Sequence, residues 1–238
     1  MKKQNLALAA LMIACSMGPA TAQTFVNQTR RVDVFATARD AIFDEDQVLF
    51  EERESTRASG VFDDTVQGSA STITGDSNVF ASQTSVIDDS DGSIWAEGNA
   101  ISTVAEDGDA STDAESTFRL RFDLANPGQV VFSEILLQVS QPVVIGDPRG
   151  TERASEAFAF LRIFNQDTGV RVFNRTLRLN NAGDPDFIYE QAVVNLPAGR
   201  YRLLIRARAF GDNDNNMFQG EPHGARADFS IEAQITED

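Results

Sequence analysis

An alternation with a period of two runs through most of this chain, and it points to strands before any composition is counted. Val32, Val34, Ala36 and Ala38 alternate with mostly polar neighbours. Phe118, Leu120, Phe122 and Leu124 face one way, while Arg119, Arg121 and Asp123 face the other. Tyr201, Leu203, Ile205, Ala207 and Ala209 alternate with Arg202, Arg206 and Arg208, broken only by Leu204. Ala227, Phe229, Ile231, Ala233 and Ile235 alternate with Asp228, Ser230, Glu232 and Gln234. Each run reads as a strand with one face on a core and the other in water. Ala157–Phe164 is apolar on both faces apart from Arg162, which predicts a central strand covered on both sides.

Turn residues fall where these strands should end. Asn126-Pro127-Gly128 and Pro197-Ala198-Gly199 are breaks, as is the Asn- and Asp-rich run over residues 180–186. Asn165-Gln166-Asp167-Thr168-Gly169 reads as a hairpin loop with glycine in the left-handed position. Residues 58–117 are rich in Ser, Ala, Thr, Gly and Asp, yet apolar and β-branched residues recur every few positions. They are expected to form long strands of small residues rather than a linker. One helix is expected, over Asp46–Thr56, in a charged run around Val48 and Leu49. Short strands between turn signals predict an all-β fold, an antiparallel β-sandwich of jelly-roll-like form.

The first residues carry a different signal. Lys2 and Lys3, the apolar run Leu6–Ala14 and the small-residue site Ala20-Thr21-Ala22 have the order of a cleavable export signal over residues 1–22. Met12-Ile13-Ala14-Cys15 is a weaker competing signal, under which Cys15 would carry a lipid anchor. The expectation is a secreted, periplasmic or cell-surface protein with a single β-sandwich over residues 23–238, its front half 23–117 and its regular strands in 118–236.

Cys15 is the only cysteine, so the exported part would have no disulfide, thiolate ligand or cysteine nucleophile. The formal charge is −16, and beyond Lys3 every basic side chain except His223 is arginine. An acidic, lysine-free surface resembles those of proteins adapted to saline surroundings; GC-rich codon usage would give the same bias. Either way it repels nucleic acid and anionic membranes. No run is long enough for a membrane-spanning helix.

Candidate chemistry is sparse. A single histidine, His223, cannot build a multi-histidine zinc site, and no Gly-x-Ser-x-Gly elbow accompanies it. Asp212-Asn213-Asp214-Asn215-Asn216 concentrates oxygen ligands, which makes Ca²⁺ the one cofactor to consider, with Asp212 and Asp214 as its ligands. Trp95 is a candidate stacking platform for a sugar. The row Arg202, Arg206 and Arg208 could meet acidic ligands such as uronic polysaccharides, or could pair with carboxylates on neighbouring strands.

The run Trp95-Ala96-Glu97-Gly98-Asn99-Ala100, the segment Ser116–Phe122 and the later Leu196–Leu203 before a last strand resemble a known group. They are similar to uncharacterised exported β-sandwich proteins of environmental bacteria, many of which end in a PEP-CTERM sorting tail. Gln234-Ile235-Thr236-Glu237-Asp238 departs from that pattern, so the resemblance implies no sortase-like anchoring. It implies a fold and an exported life, and no activity. The expected role is non-enzymatic, structural or binding, at the cell surface or in extracellular matrix, with a polysaccharide or a matrix protein as partner. A carbohydrate-binding module with a loop calcium is the alternative, and a secreted hydrolase the third.

Overall fold

A strand with one apolar face buries it only against a second layer, and this chain builds two such layers from its own strands. The computed structural model describes residues 24–40, 45–55, 60–71, 76–104, 108–140, 153–180, 186–215 and 223–237. Among these residues the strands are β1 (Thr24–Asp40), β2 (Glu45–Ser55), β3 (Gly60–Ser71), β4 (Asp76–Asp88), β5 (Ser93–Val104) and β6 (Gly108–Leu124), followed by β7 (Gly128–Ser140), β8 (Arg153–Asn165), β9 (Arg171–Asn180), β10 (Asp186–Leu196), β11 (Gly199–Asn215) and β12 (His223–Glu237). They form two six-stranded sheets, ordered β2-β1-β6-β11-β8-β9 and β10-β7-β12-β5-β4-β3. Every pairing is antiparallel. The chain is thus the antiparallel β-sandwich that its alternation predicts.

Strands β5 to β12 carry the jelly roll. Their order is β10-β7-β12-β5 in one sheet and β6-β11-β8-β9 in the other, which is two Greek keys wound together. The remaining strands widen both sheets on the same side, β1 and β2 beyond β6, β4 and β3 beyond β5. The Ser/Ala/Thr-rich segment therefore does form strands, β3 to β6. Its inward residues are small, among them Ala81, Ala96, Ala100 and Ala114, all fully buried. The regular strands bring the large ones, Phe118, Leu120, Phe122, Leu137, Leu161 and Phe229.

Two expectations need correction. The Asp46–Thr56 segment is not a helix; Glu45–Ser55 is the edge strand β2. Its charged run fits an edge, where both faces reach water, and Leu49 alone packs on the core from it. Strand β8 is not covered on both sides by protein layers. It lies next to the edge strand β9, and arginine side chains cover its outer phenylalanines.

The turns follow the sequence closely. Gly169 takes a positive φ of 70° in the β8–β9 hairpin, where the Asn165 side chain accepts hydrogen bonds from the Asp167 and Thr168 amides. Tyr201, buried and stacked on Phe122 at 5.5 Å, donates its hydroxyl to the Pro197 carbonyl at 2.8 Å and so ties down the β10–β11 turn. The export signal, Cys15 and the loop over 216–222 lie outside the described residues.

Candidate functional site

The outer face of the first sheet is built by the residues that alternate with its core. Strand β11 sends Arg202, Leu204, Arg206 and Arg208 outward, and β6 sends Arg121, Arg119, Thr117 and Glu115 outward opposite them. On the other side β8 presents Phe164, Arg162, Phe160 and Phe158 in the same rows. Arg171 of β9 stands beside Phe164. The register places strands about 4.8 Å apart and alternate residues about 6.7 Å apart, so the guanidiniums form a grid fixed by backbone hydrogen bonds.

The grid divides into two electrostatic halves. Arg208 makes a two-pronged pair with Asp113, its Nε donating at 2.7 Å. Arg206 meets Glu115 at 3.2 Å, and Arg31 and Arg178 meet Asp33 and Glu156. In the other half, Arg119, Arg121, Arg162, Arg171 and Arg202 have no carboxylate within ion-pair distance among the described residues. Burial, and then the like charges of Arg202, Arg121 and Arg206, lower the pKa of Arg119 from its ordinary value. Burial and the charges of Arg171 and Arg206 do the same to Arg162. The Nε atoms of Arg119, Arg202 and Arg206 are all buried without a hydrogen-bond partner, the contact of Arg206 with Glu115 being an ion pair only.

These guanidiniums are held on aromatic rings. Arg162 lies 3.9 Å from the Phe160 ring centre, Arg202 4.8 Å and Arg171 5.6 Å from that of Phe164. Arg162 Nε and Arg171 Nη1 also donate to the Asn174 side-chain carbonyl, at 3.0 and 3.4 Å, and a guanidinium has five N–H donors, so further ones remain for a carboxylate or sulfate outside. The face therefore presents aligned donors rather than bare aromatic rings.

The sequence candidates divide accordingly. Arg202 belongs to the unpaired half, Arg206 stands at the boundary, and Arg208 is consumed by Asp113. Arg119 and Arg121, visible in the alternation of β6, join Arg202 only through strand pairing between residues distant in sequence. Asp212 faces outward from β11, in register with Ser111 and Ala154, and the backbone of Asp214 pairs with that of Asp109. Among the described residues no three His, Cys, Asp or Glu side chains gather as a metal site. His223 opens β12 opposite Val104.

Trp95 lies on the outer face of the second sheet, half-buried, between Val86 of β4 and Glu232 of β12. One step along β5, the same face sinks into a depression of about 350 Å³ whose floor includes Glu97, Asn99, Asp228 and Ser230. The Asp228 carboxylate accepts from Arg226 Nε at 2.8 Å and from the Asn99 amide. Leu136 and Gln138 of β7 form one wall. Beyond them on β10 stand Tyr189 and Phe187, 64% and 67% exposed, directly opposite Leu136 and Gln138 in the register.

No protein-family profile matches the chain, and no curated protein matches it. Among solved structures, it is similar to the enzymatically active domain of tailspike protein 4 of bacteriophage CBA120. The identity is 12%, with 72% of this chain and 19% of that chain covered and a TM-score of 0.25. It is similar to TmCBM61 in complex with β-1,4-galactotriose at 13% identity, covering 60% of this chain and 88% of that one, with a TM-score of 0.22. A third likeness is to the structure of infectious bursal disease virus, Gx strain, at 9% identity and a TM-score of 0.21, covering 90% and 61%. The chain spans less than a fifth of the tailspike domain's length. Superpositions this loose carry nothing about what this chain does.

Proposed function

We propose that this chain is an exported, non-enzymatic β-sandwich that binds an acidic polysaccharide at the cell surface or in extracellular matrix, on the arginine half of its first sheet. One observation carries this reading. In a protein of net charge −16, Arg119, Arg121, Arg162, Arg171 and Arg202 share one face and none has a carboxylate within ion-pair distance among the described residues, Glu54 acting on Arg119 only from farther away. Like charges on adjacent strands destabilise a sheet. That the chain keeps them together without direct ion pairs, while pairing Arg206 and Arg208 a few residues away, supports a role for them with an external anion.

The polymer is a polysaccharide rather than a nucleic acid for two reasons. The overall negative charge opposes the dense charge of a nucleic acid backbone. The phenylalanines beneath the guanidiniums are covered, so they offer no open stacking platform for bases. Carboxylates or sulfates on a sugar chain meet planar, bidentate donors at the spacing that the sheet fixes.

Affinity electrophoresis in gels containing alginate, polygalacturonate or a sulfated galactan tests the proposal, with neutral dextran as the control. Migration should be retarded by at least one acidic gel and not by dextran. Arg119→Gln and Arg202→Gln should each weaken binding by about tenfold, as expected for a lost charge-assisted contact. Equal retardation of the double variant, retardation by single-stranded DNA in place of the acidic gels, or no retardation by any acidic gel would overturn it.

A further inference from the structure

The depression on the second sheet has a chemistry opposite to that of the arginine face, and we infer that it binds a short segment of a neutral oligosaccharide. Three observations combine. The floor is polar and small-sided: Ser230, Asn99 and Ser82 sit between the taller Gln138 and Leu136 on one side and the neighbouring strands on the other. The central carboxylate, Asp228, is fixed by Arg226 with two donors and by Asn99, so its orientation is set before a ligand arrives. A preset carboxylate and a side-chain amide such as Gln138 are the acceptor and donor set that pairs with vicinal hydroxyls.

The second observation is aromatic. Tyr189 and Phe187 stand largely exposed on β10 although inward positions of the same strand, Ile188, Val194 and Leu196, pack on the core. Their rings contribute little to the core from there. They flank Leu136 and Gln138, and so place apolar surface along one wall of a hydrogen-bonding floor. A pyranose ring has that pair of surfaces, hydroxyls at its edge and C–H groups on its face.

The third observation is charge. Glu97 and Asp228 lie in the depression, Glu134 accepts from Ser230 at 3.0 Å beside it, and Glu232 stands opposite Trp95. Among the described residues Arg226 is the only cation lining it, and it is bound to Asp228. An anionic sugar is disfavoured here, so the ligand class is neutral. The volume, about 350 Å³, is at the lower end for ligand sites and suits a short segment of chain rather than a whole oligomer.

Trp95 is the only tryptophan of the chain and lies next to Glu97 on the same face, which gives the test its readout. The full-length exported protein is titrated with neutral xylo-, manno-, cello- and galacto-oligosaccharides while tryptophan emission is followed, and each positive is repeated by calorimetry. At least one series should shift the Trp95 emission saturably. Tyr189→Ala and Gln138→Ala should each lower the affinity tenfold or more, with melting temperatures close to the parent. The Arg119→Gln/Arg202→Gln variant should bind the neutral sugar unchanged, so failure here and failure of the acidic-polymer reading are distinguishable. The inference is overturned if no neutral series binds, if binding survives both Tyr189→Ala and Gln138→Ala, or if the bound oligosaccharide is cleaved, which would make the depression hydrolytic.

Discussion

Arg202 stands directly opposite Arg121 across the β6–β11 ladder, two like charges facing each other in the middle of a sheet with no carboxylate between them. A pair of this kind costs stability unless something outside the protein uses it. Arg202→Thr should therefore raise the melting temperature, by the equivalent of about 0.5 kcal/mol, while lowering retention on acidic gels. Thermal melts and affinity electrophoresis on the same sample separate the two effects.

Arg208 predicts the reverse. It is already bound to Asp113 through two donors, and that contact raises its pKa above the ordinary value. Arg208→Ala should cost about 1 kcal/mol of stability, a modest value because the pair is partly exposed to solvent. Polymer retention should stay at the parent level. Chemical denaturation midpoints and the same gels check it.

The β8–β9 hairpin carries one acid-sensitive contact. The Arg200 amide and guanidinium both donate to Asp167, which holds its carboxyl below the usual carboxylate range. A carboxyl lowered in the folded state adds stability above its unfolded pKa and loses it as pH falls through the folded value. Asp167→Asn should thus melt at a lower temperature than the parent at neutral pH. The gap should close as pH is lowered below the ordinary aspartate range, and melts between pH 7 and pH 2 would show it.

Gly98 faces the core between the two sheets. A Cβ there would overlap the Phe229 ring and the Ser116 hydroxyl, both buried in the inter-sheet core. Gly98→Ala should cost about 1–3 kcal/mol through overpacking, and Gly98→Val should cost more. The pair of variants, followed by thermal denaturation, distinguishes steric crowding from loss of backbone freedom.

The alternation over Phe118–Leu124, Tyr201–Ala209 and Ala227–Ile235 was enough to read the core faces of β6, β11 and β12, because a half-buried strand writes its burial into every second residue. Strand β2 was illegible for the converse reason. At an edge Glu51, Glu52 and Glu54 are tolerated on either face, so the pattern that separates strand from helix is lost. Of the candidate site, Arg202 was visible and its importance was not. Only the register sets it against Arg121, eighty-one positions earlier in the chain. The sequence does not mark Tyr189 and Phe187 as exposed, because exposed and buried aromatics look alike until the partner strand is known.

The stacking of the two sheets has a mechanical consequence. Their outer faces point in opposite directions, and packed sheets lie about 10 Å apart. If each face holds its glycan, the sandwich becomes a rivet between two polymers, and tension on the matrix pulls one sheet from the other. Within each sheet that load meets continuous hydrogen-bond ladders. Between the sheets it meets side-chain packing around Phe118, Phe122, Phe229 and their neighbours, and the chain itself, which crosses from one sheet to the other between β6 and β7 and between β10 and β11, among others. The rivet should therefore loosen first in its core packing, while the crossing connections hold the two sheets together.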